Sequence, residues 1–170
     1  EKICDQIRKL NSDAHAKFYK ANISSMKEVR IVSDRIKIDF HHIDVLINNA
    51  GARFDNYLKN DEGIELTFAT NHLGHFLLTL SLIELLKKST QGRIINISSP
   101  AHSRGTEEFD DIIAPENYDR RLAYGRSKLA NLYFTYELSD RLKISHLTVN
   151  AVDPGGVATN FSRNNGLFAW

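Results

Sequence analysis

Three short apolar runs, Ile43-Asp44-Val45-Leu46-Ile47, Arg93-Ile94-Ile95-Asn96-Ile97 and Leu147-Thr148-Val149-Asn150-Ala151-Val152, each stop at a polar or glycine-containing segment, and long helical patterns separate them. Runs of this length, rich in Ile and Val, have the character of strands buried in a parallel sheet. Residues 62–88 carry Leu, Ile and Phe at helical spacing and end in basic residues and Gly92, which predicts a long helix. Residues 122–143 predict another, with Leu129, Leu132, Tyr133 and Tyr136 available for packing. Upstream, Ile3, Ile7 and Leu10 mark a helix over residues 1–10, and residues 17–21 predict a short strand. Ser24 or Ser25 then caps a helix that turns Val29, Val32 and Ile36 inward. Pro100 to about Arg120 reads as a long loop containing a short helix. The alternation predicts an α/β fold, an open doubly wound parallel sheet with helices on both faces. In such sheets ligands bind beyond the carboxyl ends of the strands.

The 170 residues suit a single domain with a real core. Twenty-two basic residues against twenty-one acidic ones give no electrostatic footprint for nucleic acid or an anionic membrane. The single cysteine, Cys4, allows no internal disulfide, which favours a reducing, cytoplasmic location. No window reaches the roughly eighteen apolar residues of a membrane span, although membrane association through other segments is compatible with this.

Tyr124-Gly125-Arg126-Ser127-Lys128 places a phenol and an ammonium one helical turn apart. A tyrosine acting as base near neutrality needs its pKa of about 10 lowered by roughly three units, about 4 kcal/mol. A cation about 4 Å away, at an effective dielectric near 20, supplies around 4 kcal/mol before desolvation. The plainer alternative is an exposed lysine beside a helix-surface tyrosine. His72 and His75 could share a metal, but no third ligand lies at a useful spacing, so they read as surface or packing histidines. Asn71 by itself reads as a helix-surface amide.

Five motifs in order carry a resemblance to the short-chain dehydrogenase/reductase family over about residues 1–162: Asn48-Asn49-Ala50-Gly51, Asn71, Ser99, Tyr124 with Lys128, and Pro154-Gly155 followed by Thr159. The phrases Asn71-His72-Leu73-Gly74-His75-Phe76, Ser99-Pro100-Ala101-His102 and Ser127-Lys128-Leu129-Ala130-Asn131 are most similar to its retinol dehydrogenase, WW-domain oxidoreductase and protochlorophyllide reductase branch.

The resemblance implies an oxidoreductase that transfers a hydride between NAD or NADP and a carbonyl or alcohol, with a homodimer or homotetramer as the usual assembly. Its catalytic residues would be Asn71, Ser99, Tyr124 and Lys128. Ser99 would hold the substrate oxygen within reach of Tyr124, and Lys128 would lower the Tyr124 pKa and hold the nicotinamide ribose. Asn71 would position a water leading to solvent. Ser98 would instead bond backbone. Cofactor contacts would come from Asn22, Asn49, Ala50, Gly51, Tyr124, Lys128, Pro154, Gly155, Val157 and Thr159.

The family's glycine-rich phosphate loop has no counterpart in the sequence. In the strand order 3-2-1-4-5-6, two strands would be missing between the one near Phe18 and the one near Val45. At about 4.8 Å per strand that is a slot of roughly 14 Å. The expectation is therefore an incomplete Rossmann-type domain within a longer polypeptide. A non-catalytic scaffold or an inactive truncated isoform is the alternative.

Overall fold

The computed structural model describes residues 2–107 and 117–155. Its sheet consists of β1 (Val45–Asn48), β2 (Arg93–Ile97) and β3 (Thr148–Val152), all parallel and in that order, with Val45 beside Arg93 and Arg93 beside Thr148. The crossovers are α4 (Gly74–Lys87) between β1 and β2 and α5 (Arg120–Arg141) between β2 and β3. Strand and helix bounds fall within a few residues of those the hydrophobic pattern predicts.

Side chains alternate across the strands, as they must. Those of Leu46, Asn48, Ile94, Asn96 and Val149 turn toward α4 and α5. There Leu86, Ile94, Phe134, Leu138, Leu142, Leu147 and Val149 form the core. A polar ladder runs through the same layer: Asn48 Nδ2 donates to Thr79 Oγ1 and Asn96 Oδ1, both at 2.8 Å, and Asn96 Nδ2 donates to Thr135 Oγ1 at 2.9 Å. Both crossover helices therefore lie on one face. On the other face, Val45, Ile47 and Val152 are 46%, 58% and 40% exposed.

Two short helices precede this layer. The first, α1 (Lys2–Leu10), has no buried residue. The second, α2 (Met26–Asp39), begins at Ser25, whose side chain accepts from Glu28 N at 3.4 Å, and buries Val29, Val32 and Ser33. The strand expected at residues 17–21 is not formed, and Phe18 there is 55% exposed. Extended backbone becomes a strand only through ladder bonds to a neighbour, and among the described residues β1 is bonded only to β2.

The predicted long helix is interrupted. It starts as a short turn, α3 (Leu66–Phe68), passes through a π-helical turn at Ala69–Leu73 and then becomes α4. Buried Glu65 starts it, accepting from Thr67 N at 2.8 Å and Phe68 N at 2.7 Å, with the Tyr118 hydroxyl at 3.1 Å. A cap whose loss strands buried donors costs about 2 kcal/mol. Glu65→Ala is therefore expected to lower the unfolding free energy in urea by that amount, seen as a lower midpoint with the slope unchanged, and a midpoint equal to wild type would remove this role.

Candidate active site

The carboxyl ends of all three strands meet beside the amino-terminal half of α5. Beyond β2 the chain turns through a 3-10 helix, Pro100–Arg104, with Ser99 Oγ accepting from Ala101 N at 3.3 Å. This turn lies directly on α5 because Gly125 has no side chain: a Cβ there would sit 2.8 Å from the Ala101 carbonyl oxygen. Close approach at Gly125 brings Ser99 to its sequence neighbour Tyr124, and the two side chains hydrogen-bond.

Lys128 lies one turn further along. Its ammonium is 5.6 Å from the centre of the Tyr124 ring and donates to the Ile97 carbonyl at 2.9 Å. Ser98 bonds backbone as expected, its Oγ donating to the Lys128 carbonyl at 3.2 Å. Burial pushes the Lys128 pKa down to about 8. Tyr124 departs from expectation, because its pKa is raised. Burial drives it up, the Ser99 hydrogen bond and the Arg53 charge act to lower it, and Asp153 adds to the rise. Desolvation is the largest cause for both groups. At neutral pH Tyr124 is a phenol and Lys128 is mostly an ammonium.

Asn71 sits in the π-helical turn, where local unwinding redirects the backbone. Its carboxamide is fully engaged: Oδ1 accepts from Ala52 N at 2.8 Å, and Nδ2 donates to the Ala52 carbonyl at 2.9 Å and Ser127 Oγ at 3.0 Å. Asn71 therefore ties the loop after β1 to the turn of α5 that carries Lys128. Asn49, Ala50 and Gly51 are exposed on that loop, and Pro154 and Gly155 are exposed at the end of β3. Gly155 adopts φ +67° and donates its N–H to Asp153 Oδ1 at 2.9 Å. Asn22 lies apart, in the turn before α2, with its Oδ1 accepting from Ser24 N at 3.1 Å and Ser24 Oγ at 2.8 Å. Val157 and Thr159 lie outside the described residues.

The donor set fits a nicotinamide ribose. A phenol and an ammonium share one helix turn, and the ammonium has three N–H donors, one of which is directed at Ile97. Three residues beside the site are given no role by the sequence reading: Arg53, Ser127 and Asn131. Asn131 had a signal, since it is an amide three residues after Lys128 on a helix whose neighbouring positions pack.

His72 and His75 are packing histidines, and no metal-binding cluster occurs among the described residues. His75 Nδ1 lies 3.0 Å from the Asn71 carbonyl, and burial holds its pKa down at about 4. The unfolded chain therefore takes up a proton near pH 6.5 that the folded chain refuses until about pH 4. Stability is expected to fall by up to about 3 kcal/mol as pH drops through that window. His75→Gln, which cannot titrate, should flatten the slope in urea melts between those limits, and an unaltered slope would exclude His75 as its source.

The family model described as short chain dehydrogenase matches residues 1–168. Retinol dehydrogenase 12 of Mus musculus is 40% identical over 167 residues, covering 98% of this chain and 53% of its own length. Retinol dehydrogenase 14 of Homo sapiens is 43% identical over 143 residues, covering 84% of this chain and 43% of its own length. The chain thus spans about half the length of the curated relatives it matches. Among solved structures, an uncharacterized protein from Mycobacterium Paratuberculosis superposes with a TM-score of 0.76 at 34% identity, over 94% of this chain and 58% of that one.

Proposed function

The chain belongs to the short-chain dehydrogenase family, on its retinol dehydrogenase branch, and from that premise we propose that the protein interconverts a lipophilic alcohol and its carbonyl, with Tyr124 handling the proton. The observation that carries the reading is the hydrogen bond between Ser99 and Tyr124 with the Lys128 ammonium beside them. Members of this family are oxidoreductases that use NAD or NADP, and the bound nicotinamide supplies the hydride.

Ser99 Oγ holds the substrate oxygen and Tyr124 gives it a proton. The protonated phenol found at neutral pH is the form this step requires. Lys128 would hold the ribose and keeps a positive charge next to the developing oxyanion. In the alcohol-oxidising direction Tyr124 must act as a phenolate. The raised Tyr124 pKa means that direction needs positive charge beyond that of Arg53, which an oxidised nicotinamide would supply when bound. Asn71 holds the β1 loop against α5, so the cofactor side of the site and the proton-handling side keep their relative positions.

The retinol dehydrogenases among the relatives make retinal the first substrate to try. The test is cofactor oxidation by the protein expressed from its complete coding sequence, with retinal, medium-chain aldehydes and ketones, each with NADH and NADPH. Turnover of at least one carbonyl is expected. A protein that binds cofactor but turns over none of them would be better read as a binding module.

A further inference from the structure

Asn131 is 3% exposed and makes no contact that the chemistry above uses. Its Nδ2 donates to the Asn71 carbonyl at 3.1 Å and to the Ile97 carbonyl at 3.4 Å. The Ile97 oxygen is the one that also accepts from Lys128 Nζ. On the other side of the amide, Asn131 Oδ1 lies 3.0 Å from His72 Nδ1. One carboxamide thus joins three segments: the π-helical turn, the end of β2 and α5.

The orientation of this amide is determined by its surroundings. Both carbonyls are acceptors, so the group facing them is the NH2, and the oxygen is left for His72. The imidazole must then carry its proton on Nδ1. His72 is itself fixed, because its ring packs on those of Phe68, Phe76 and Phe134 with centroids 5.1, 5.9 and 6.2 Å away. Burial also lowers the His72 pKa, so the ring stays neutral in the working range.

We propose that Asn131 is a positioning residue for the Tyr124–Lys128 pair: its carboxamide, steadied by His72, ties the Asn71 and Ile97 carbonyls together and fixes the oxygen that holds the Lys128 ammonium. The proposal rests on reading Tyr124 and Lys128 as the proton-handling pair. Since Nδ2 and Nζ converge on one oxygen, the positive end of the amide faces the ammonium and disfavours its charge. The other titratable groups around it are Tyr124 on the same helix and His72 and His75 from the facing helix, while Arg53 and Asp153 act on Tyr124.

Removing Asn131 takes away that positive end and admits water. Removing the His72 nitrogen leaves the amide held by the two carbonyls alone, so its longer bond to the Ile97 oxygen loosens and its positive end withdraws from the ammonium. Both changes raise the Lys128 midpoint, whereas loss of a merely structural amide would lower melting temperature and leave the midpoint in place.

The experiment titrates 15N-lysine-labelled protein, expressed from its complete coding sequence, by NMR, with the Lys128 signal identified by its loss in Lys128→Ala. The variants are Asn131→Ala and His72→Phe, the latter chosen because phenylalanine suits the aromatic cluster. The Lys128 midpoint is expected to rise by about half a pH unit or more in both, with kcat lowered several-fold and KM held. Midpoints at the wild-type value in both variants would overturn the proposal. Should Asn131→Ala fail to fold, His72→Phe decides by the same criterion. The titration needs no turnover, so failure of the proposed function, seen as a wild-type protein inactive on every carbonyl, is distinguishable from failure of this inference.

Discussion

Tyr124→Phe will lower kcat by about 10²–10⁴-fold, the range expected when a positioned general acid is removed. Phenylalanine fills nearly the same space, so the close contact at Gly125 and the packing of α5 are undisturbed. What is lost is the hydroxyl that bonds Ser99, the group to which the proposed reading gives the proton transfer. Folding stability should change by no more than about 1 kcal/mol, the net worth of one hydrogen bond. Cofactor affinity, measured by fluorescence quenching, should stay within a few-fold of wild type, because the proposed ribose contact belongs to Lys128, which the substitution keeps. Retention of more than about a tenth of the wild-type kcat would exclude Tyr124 as the proton donor, since the smallest effect in that range is about 10²-fold.

Gly74→Ala will destabilise the fold by about 2 kcal/mol through a different mechanism. Gly74 opens α4 where the helix crosses the turn before α2, and a Cβ there would lie 2.0 Å from the Ile23 carbonyl oxygen and 2.8 Å from Ile23 Cγ1. The obstructing atom is backbone, so it cannot swing aside as a side-chain tip would. Alanine improves helix propensity by about 1 kcal/mol, but overpacking of this severity costs up to about 3 kcal/mol, and the steric effect wins. At about 2–4 °C per kcal/mol for a chain of this size, the melting temperature should drop by roughly 4–8 °C. Activity should fall as well, because Asn71 is three residues away in the π-helical turn. A melting temperature equal to wild type would mean that the Ile23 backbone yields more easily than its packing implies.

Much of this was legible in the sequence because it is local. The i, i+4 spacing of Tyr124 and Lys128 survives any packing of the helix. Strands β1 to β3 carry their own apolar signal, and Ser99 follows from the end of β2. What was not legible depends on partners distant in the chain. Residues 17–21 have strand-like composition, but a ladder neighbour decides whether they form a strand. The π-helical turn at Ala69–Leu73 leaves no mark in a helical Leu pattern. The direction of the Tyr124 pKa is a contest between desolvation and charge that only burial can decide. Asn131 acts largely through backbone carbonyls, and every residue except its side chain offers those alike, so its role had no counterpart in a list of catalytic residue types.

The sheet has one further consequence. Val45, Ile47 and Val152 lie on the uncovered side, and one edge of β1 carries no ladder bonds among the described residues. Unpaired N–H and C=O groups beside exposed β-branched side chains form a template on which strands of other copies can add. Within β1 itself, Val45–Asn48, no charged residue guards the edge, and Asp44 stands just before it. Handled as these 170 residues alone, the chain is therefore expected to gain apparent mass with concentration in sedimentation. Ile47→Lys, a gatekeeper placed at the middle of the bare strip, should suppress that growth, and concentration-independent sedimentation of the unaltered chain would show that the strip is inert. A strand with the composition of a sheet interior would then behave, in isolation, as an adhesive border.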